Sequence, residues 1–185
     1  MARIEAGARE NVPSEFQNAF DQAVECIGGP SSGGPWPVVL NSPELALRRI
    51  QVADYLRKES TFSKKIQELA ILVAVRAMDC QYAWLAHAAA ARREGVSNAL
   101  VDAIRDRTPL PPMSPDEKAL VDFGQEFYST HKVSRATFEA ALDQFGSQHL
   151  VELTMLMGHY AQTSFILNAF DVTLPPQHPE PLLPV

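Results

Sequence analysis

Three side chains within one stretch, Glu68, Cys80 and His87, have the types and spacing to move protons or to present a nucleophile. A carboxyl and an imidazole are the usual pair for general acid–base work. A thiol is a nucleophile and a redox centre once it becomes a thiolate. Eleven residues separate Glu68 from Cys80, and six separate Cys80 from His87. On a helix the second interval is two turns, so both side chains share a face, about 10 Å apart at 1.5 Å per residue. A direct hydrogen bond across that gap is not expected; a water or a substrate would fit between them. Ala83 lies on the same stripe, one turn before His87, and Trp84 flanks it.

The elements that must position these groups read clearly. Residues 66–78 are apolar nearly all round, broken only by Gln67, Glu68 and Arg76. Such a helix is a buried one, and it is too short to span a bilayer, which takes about 20 apolar residues. Glu68 on it needs a partner, Arg76 or another base, because an unpaired buried carboxylate is costly. Asp79 reads as the N-cap of a second helix beginning at Cys80. That puts the thiol in a first turn, where the helix dipole favours a thiolate. Cys80 is therefore expected to be more acidic than a free thiol, whose pKa is about 8.5, with the charge of Asp79 working against the dipole. The break between the helices leaves the distance from Glu68 to Cys80 open.

The spacing Glu-x11-Cys-x6-His resembles the carboxymuconolactone decarboxylase family and its AhpD-like alkylhydroperoxidase relatives. ELAILVAVRAMDCQYAWLAHAAAARREGVS is similar to that family's central helical pair, and NSPELALRRIQVADYLR and VELTMLMGHYAQTSFILNAFDVTLPP agree with its flanks. The resemblance covers residues 35–176. It implies an AhpD-like orthogonal helical bundle, assembly into homo-oligomers (trimers or hexamers), and Glu68, Cys80 and His87 as the catalytic residues. In the redox branch the motif is Glu, then Cys-x-x-Cys, then His; Ala83 stands here where the second cysteine belongs. The decarboxylase branch needs no cysteine pair, and its acid and histidine are implied to handle protons on a small unsaturated lactone or related acid. The expected function is thus decarboxylase-like proton transfer, in which His87 and Glu68 relay the proton and Cys80 or a backbone amide polarises the lactone oxygen. Arg76 is the nearest cation for a substrate carboxylate. The alternatives are a thiol-dependent peroxidase using Cys80 alone and a non-catalytic oligomeric binding protein.

Composition bounds the partners. At 185 residues the chain is expected to make one domain, or one domain with extended ends. A net charge of −6 argues against nucleic acid and anionic membrane. The N-terminal MARIEAGARENVP has no apolar run of the kind a secretory signal needs. Two cysteines far apart, Cys26 and Cys80, form no disulfide framework, so a reducing cytoplasm is the expected setting. No metal-ligand spacing, phosphate-binding glycine loop or serine elbow is present, so neither metal nor cofactor is expected.

Along the chain, residues 1–34 read as a loose charged arm and a helix over 13–27, with Phe16, Phe20, Ala23 and Ile27 inward and Cys26 a buried filler. Residues 28–37 are a loop that Trp36 packs onto the core. The family-like domain spans 35–176. Its helices start at Ser42-Pro43-Glu44, at Thr61 or Ser63, at Ser97, at Ser114-Pro115-Asp116-Glu117 and at Ser134, with stops at Gly95 and Gly146. A long apolar helix fills 147–170. Tyr82, Trp84 and His159 are expected in packing roles, and His131, His149 and His178 have no constellation around them. The proline-dense tail, 177–185, is expected to lie extended on a neighbour or to stay disordered.

Overall fold

A computed structural model of the chain describes residues 2–29 and 33–185. Residues 30–32, part of the loop expected over 28–37, lie outside the described residues. Every regular element among the described residues is helical: α1 (Gln17–Cys26), α2 (Trp36–Val39), α3 (Pro43–Asp54), α4 (Lys64–Ala77), α5 (Gln81–Arg93), α6 (Asn98–Asp106), α7 (Pro115–Thr130) and α8 (Arg135–Ala169), with short 3-10 and π turns between some of them. Two compact bodies result, one from residues 1–60 and 166–174, the other from 61–165 and 175–185.

The first body packs α1, α2 and α3 around Val12, Phe20, Ala23, Val39, Leu40, Ala46 and Ile50. Trp36 opens α2 rather than sitting in a loop, and the Arg49 guanidinium lies 4.9 Å from its ring centre. The N-terminal arm is tied down. Arg3 N donates to Phe170 O at 2.8 Å, and Gly7 N donates to Pro37 O at 2.7 Å. Gly7 approaches so closely that an added Cβ would stand 2.5 Å from the Leu40 carbonyl carbon. Two inward expectations fail here. Phe16 sits in a 3-10 turn before α1 and is exposed, and Cys26, in the last turn, is exposed as well. The helix begins one turn later than the pattern suggested, so its buried face is Ala19, Phe20 and Ala23.

The second body is built on α4. Every residue from Ile66 to Arg76 is buried, as an all-round apolar helix requires. Ser63, not Thr61, caps it, accepting from Ile66 N at 3.3 Å. Ser97 caps α6 through Leu100 N, and Ser114 with Glu117 forms a capping box on α7. α7 can approach α4 because Gly124 has no side chain; a Cβ there would lie 2.7 Å from Val73 Cγ1 and would collide with Met157 Cε. Gly146, at φ 71 and ψ 168, breaks α8 where a stop was expected. The α8 segment within this body leaves Val151, Met155 and Phe165 exposed at 64%, 53% and 66%. The tail is ordered against its own chain. Gln81 clasps Leu183 through both main-chain groups, at 2.8 and 2.9 Å, and Glu180 pairs with Arg92 at 3.0 Å.

Candidate functional site

The site forms where α5 faces α4 and the 147–165 part of α8. α5 starts one residue later than expected. Cys80, with φ −86 and ψ 96, is itself the N-cap, and its carbonyl accepts from Trp84 N at 3.0 Å. Asp79 does not cap the helix. It takes a left-handed conformation, φ 47, and its carboxylate binds Arg76 and Arg107. The reason is electrostatic: two guanidiniums claim the carboxylate that the orphan amides would otherwise hold.

Glu68 and His87 come together. His87 Nδ1 lies 2.7 Å from Glu68 Oε2, and the two side chains are 18% and 4% exposed. A carboxylate can only accept, so Nδ1 carries the hydrogen and Nε2 is the basic nitrogen of the neutral ring. The edge-on ring of Tyr160 lies 4.8 Å from the imidazole. Arg76, expected as the partner of Glu68, is held elsewhere. It sits two turns further along α4, bound to Asp79 and donating from Nε to Arg105 O at 2.8 Å.

Cys80 is fully buried. Burial pushes its thiol above the free-thiol value, against hydrogen bonds from the Ala83 amide, the Ser164 hydroxyl and the Tyr82 amide. The expectation of an acidic thiol is therefore wrong in sign: desolvation outweighs the amides of the first turn. The Ser164 hydroxyl, fully buried on α8, also lies 2.8 Å from Tyr160 O, and its one hydrogen goes to that carbonyl or to the sulfur, not to both at once. Cys80 and His87 thus contact residues one turn apart on the same opposing helix, Ser164 and Tyr160. They make no hydrogen bond to each other among the described residues, consistent with their two-turn separation.

Two members of this cluster escape a reading of the sequence. Ser164 and Tyr160 sit on the long helix read as apolar; the pair Thr163-Ser164 was the available signal, since a buried hydroxyl needs a partner. Trp84 was expected to pack and does, fully buried, but its Nε1 has no hydrogen-bond partner among the described residues. Ala83 is buried on the same helix turn as Cys80. A separate groove of about 830 Å³, lined by Arg76, Arg107, Glu126 and Tyr128 among others, contains none of Glu68, Cys80 or His87. Among the described residues no group of three or more His, Cys, Asp or Glu side chains is placed to hold a metal ion. No helix among them is long and apolar enough to cross a membrane.

The model of the carboxymuconolactone decarboxylase family matches residues 43–121, a shorter stretch than the resemblance suggested but one that holds Glu68, Cys80 and His87. No curated protein matches the sequence. Among solved structures, the chain is similar to the alkylhydroperoxidase AhpD core of an uncharacterized peroxidase-related protein from Ralstonia eutropha JMP134. The TM-score is 0.70 at 16% identity, over 95% of this chain and 93% of that one. It is similar to the debrominase Bmp8, with TM-score 0.68 at 15% identity over 94% and 92% of the two chains. It is also similar to a cysteine-to-alanine form of Bmp8 in complex with 2,3,4-tribromopyrrole, with TM-score 0.67 at 13% identity over 94% and 91%. At these identities the likeness is one of fold. Residues 43–121 thus match the carboxymuconolactone decarboxylase family model, and the chain has an all-α, AhpD-like fold.

Proposed function

We propose that the protein is a decarboxylase-type enzyme that delivers a proton to carbon in a small unsaturated lactone or carboxylic acid, with Glu68 and His87 as the proton-transfer pair. The observation that carries this reading is the 2.7 Å bond between His87 Nδ1 and Glu68 Oε2 in a nearly dry setting. The carboxylate orients the ring and stabilises its protonated form, and Nε2 faces the reaction. In the step itself the bond from carbon to the departing carboxylate breaks. Its electron pair passes into the conjugated lactone carbonyl and carbon dioxide leaves. The proton on His87 Nε2 then adds to carbon, and solvent restores it, so one proton is consumed per turnover. Cys80, held protonated by burial, is a weak donor to the lactone oxygen rather than a nucleophile. The test is carbon dioxide release from a panel of carboxylated butenolides. Turnover that survives Cys80→Ala and fails in His87→Asn supports the reading; the reverse pattern overturns it.

A second reading, thiol peroxidase chemistry, is favoured by the hydroxyl and two amides around the Cys80 sulfur. There the thiolate attacks a peroxide oxygen, the O–O bond breaks, an alcohol or water leaves, and sulfur is oxidised to a sulfenic acid. An external thiol would have to reduce it, because Ala83 replaces the second cysteine of the redox motif. Rapid sulfenic acid formation on Cys80 under stoichiometric peroxide, read by mass, would favour this reading. Ala83→Cys should then link to Cys80 under mild oxidant and gain turnover with a dithiol. A disulfide without turnover favours the decarboxylase reading, and inertness toward both substrate classes favours a binding role.

Assembly into a homo-oligomer, trimeric or hexameric by resemblance, belongs to the same proposal. The exposed stripe of Val151, Met155 and Phe165 supports it: these positions fall within about 80° of one another on a helix, and Gly158 and Gln162 complete the face without charge. Sedimentation at micromolar concentration should show no monomer; a monomer alone would count against assembly.

A further inference from the structure

The Trp84 indole is the one polar side chain of this cluster that nothing explains. It is fully buried, and its Nε1–H has no hydrogen-bond partner among the described residues. A buried donor without an acceptor is rare in folded proteins, and it marks a place where an acceptor belongs. Helix geometry places the residue beside the pair. At 100° per residue, Trp84 is rotated about 40° from Cys80 and His87 about −20°, so all three lie on one stripe of α5 with Trp84 between the other two along the axis. That stripe points at Glu68 on α4 and at Tyr160 and Ser164 on α8, since His87 meets Glu68 and Tyr160 and Cys80 meets Ser164. The other polar groups of the stripe have partners: Cys80 has Ser164 and the amides of Ala83 and Tyr82, and His87 Nδ1 has Glu68. Among the described residues, the indole N–H and the basic nitrogen of His87 are the groups of this stripe left to bind something.

We propose that the Trp84 indole N–H is a substrate-binding donor, which holds a carboxylate or carbonyl oxygen of a small acid or lactone between Cys80 and His87. The geometry suits the chemistry. Indole is a donor only, so it selects an oxygen with free lone pairs and rejects an ammonium or an amide N–H. Its ring is neutral and already dry, so it can grip a developing enolate oxygen without reorganising water. With the oxygen held at Trp84 and the reacting carbon toward His87, the proton on Nε2 has a direct path. The inference rests on reading this site as one for proton transfer, but its test does not depend on turnover.

The protein carrying Trp36→Phe has a single indole. Labelled with 15N, it is titrated with acetate and, separately, with a carboxylated butenolide. A saturable downfield shift of the Trp84 N–H proton is the expected result. An unmoved resonance at concentrations where the butenolide is turned over overturns the proposal and leaves the reaction reading intact. A shift without turnover by any butenolide sustains the binding role and sinks the reaction reading. Replacing the Trp84 indole by benzothiophene, which keeps the ring and deletes only the N–H, should lower kcat/KM by about 10²-fold, the scale of losing one oxyanion donor. Wild-type kinetics in that variant would overturn the proposal too. Trp84→Phe, if it folds, should show the same loss.

Discussion

α4 carries two buried charged side chains, Glu68 and Arg76, and they are provided for in opposite ways. Arg76 is held by groups that do not change state: the Arg105 carbonyl and the Asp79 carboxylate, which also binds Arg107. Glu68 is held by an imidazole, the one side chain whose ordinary titration falls near neutral pH. The first arrangement is a staple that closes the α4–α5 corner and links it to α6. The second is a pair that can exchange a proton. Burial alone therefore says little about function. On the proposed function, what separates a structural charge from a chemical one on the same helix is whether its partner can change protonation.

That contrast can be broken in several ways. The largest effect is expected at the exchangeable pair: Glu68→Gln or His87→Asn should lower kcat/KM on a butenolide acid by about 10²- to 10⁴-fold, the range for loss of a general acid or base, while circular dichroism stays unchanged. Next comes the staple. Arg76→Met leaves the Arg105 carbonyl and part of the Asp79 carboxylate unpartnered. It should cost about 1–3 kcal/mol in urea unfolding yet leave kcat within a few-fold in the folded protein. A large kinetic loss with no loss of stability would erase the distinction.

Smaller effects sharpen it. The Cys80 thiol is pushed up in the folded state, so the unfolded chain loses that proton first as pH rises. The associated stability is present below the free-thiol value and declines as pH climbs from there through the higher folded value. Unfolding midpoints should fall in that alkaline window, and Cys80→Ala should flatten the fall. Alkylation of Cys80 in a Cys26→Ser background should have its midpoint above the free-thiol value; Ser164→Ala, which removes a hydrogen bond to the sulfur, should move it higher still. The smallest effect is expected at the tail. Glu180→Ala leaves Arg92 with Asp102 and Asn98, so it should cost below about 1 kcal/mol.

The sequence exposed these two arrangements unequally. The all-round apolar run announced α4, and serine and proline at helix starts announced α3, α4, α6 and α7, because caps are local chemistry. The same face for Cys80 and His87 followed from helical period alone. What stayed hidden depended on which remote groups meet. Arg76 was a sensible partner for Glu68 at i+8 on one helix, but the chain turns at Asp79 and returns His87 instead. Ser164 and Tyr160 come from a helix about 80 residues downstream, beyond any local pattern. The acidity of Cys80 was misjudged because a cap position is legible in sequence and depth of burial is not. The unpaired indole of Trp84 is likewise a property of packing.

The most direct measurement is the coupling between Glu68 and His87 in kcat/KM on the fastest butenolide acid, from Glu68→Gln, His87→Asn and the double variant. If the two act as one proton-transfer unit, each single change costs about 10²- to 10³-fold and the double change costs no more than the worse single, because groups acting as a unit are not additive. Single losses that multiply in the double variant, or single variants that retain full activity, would contradict it.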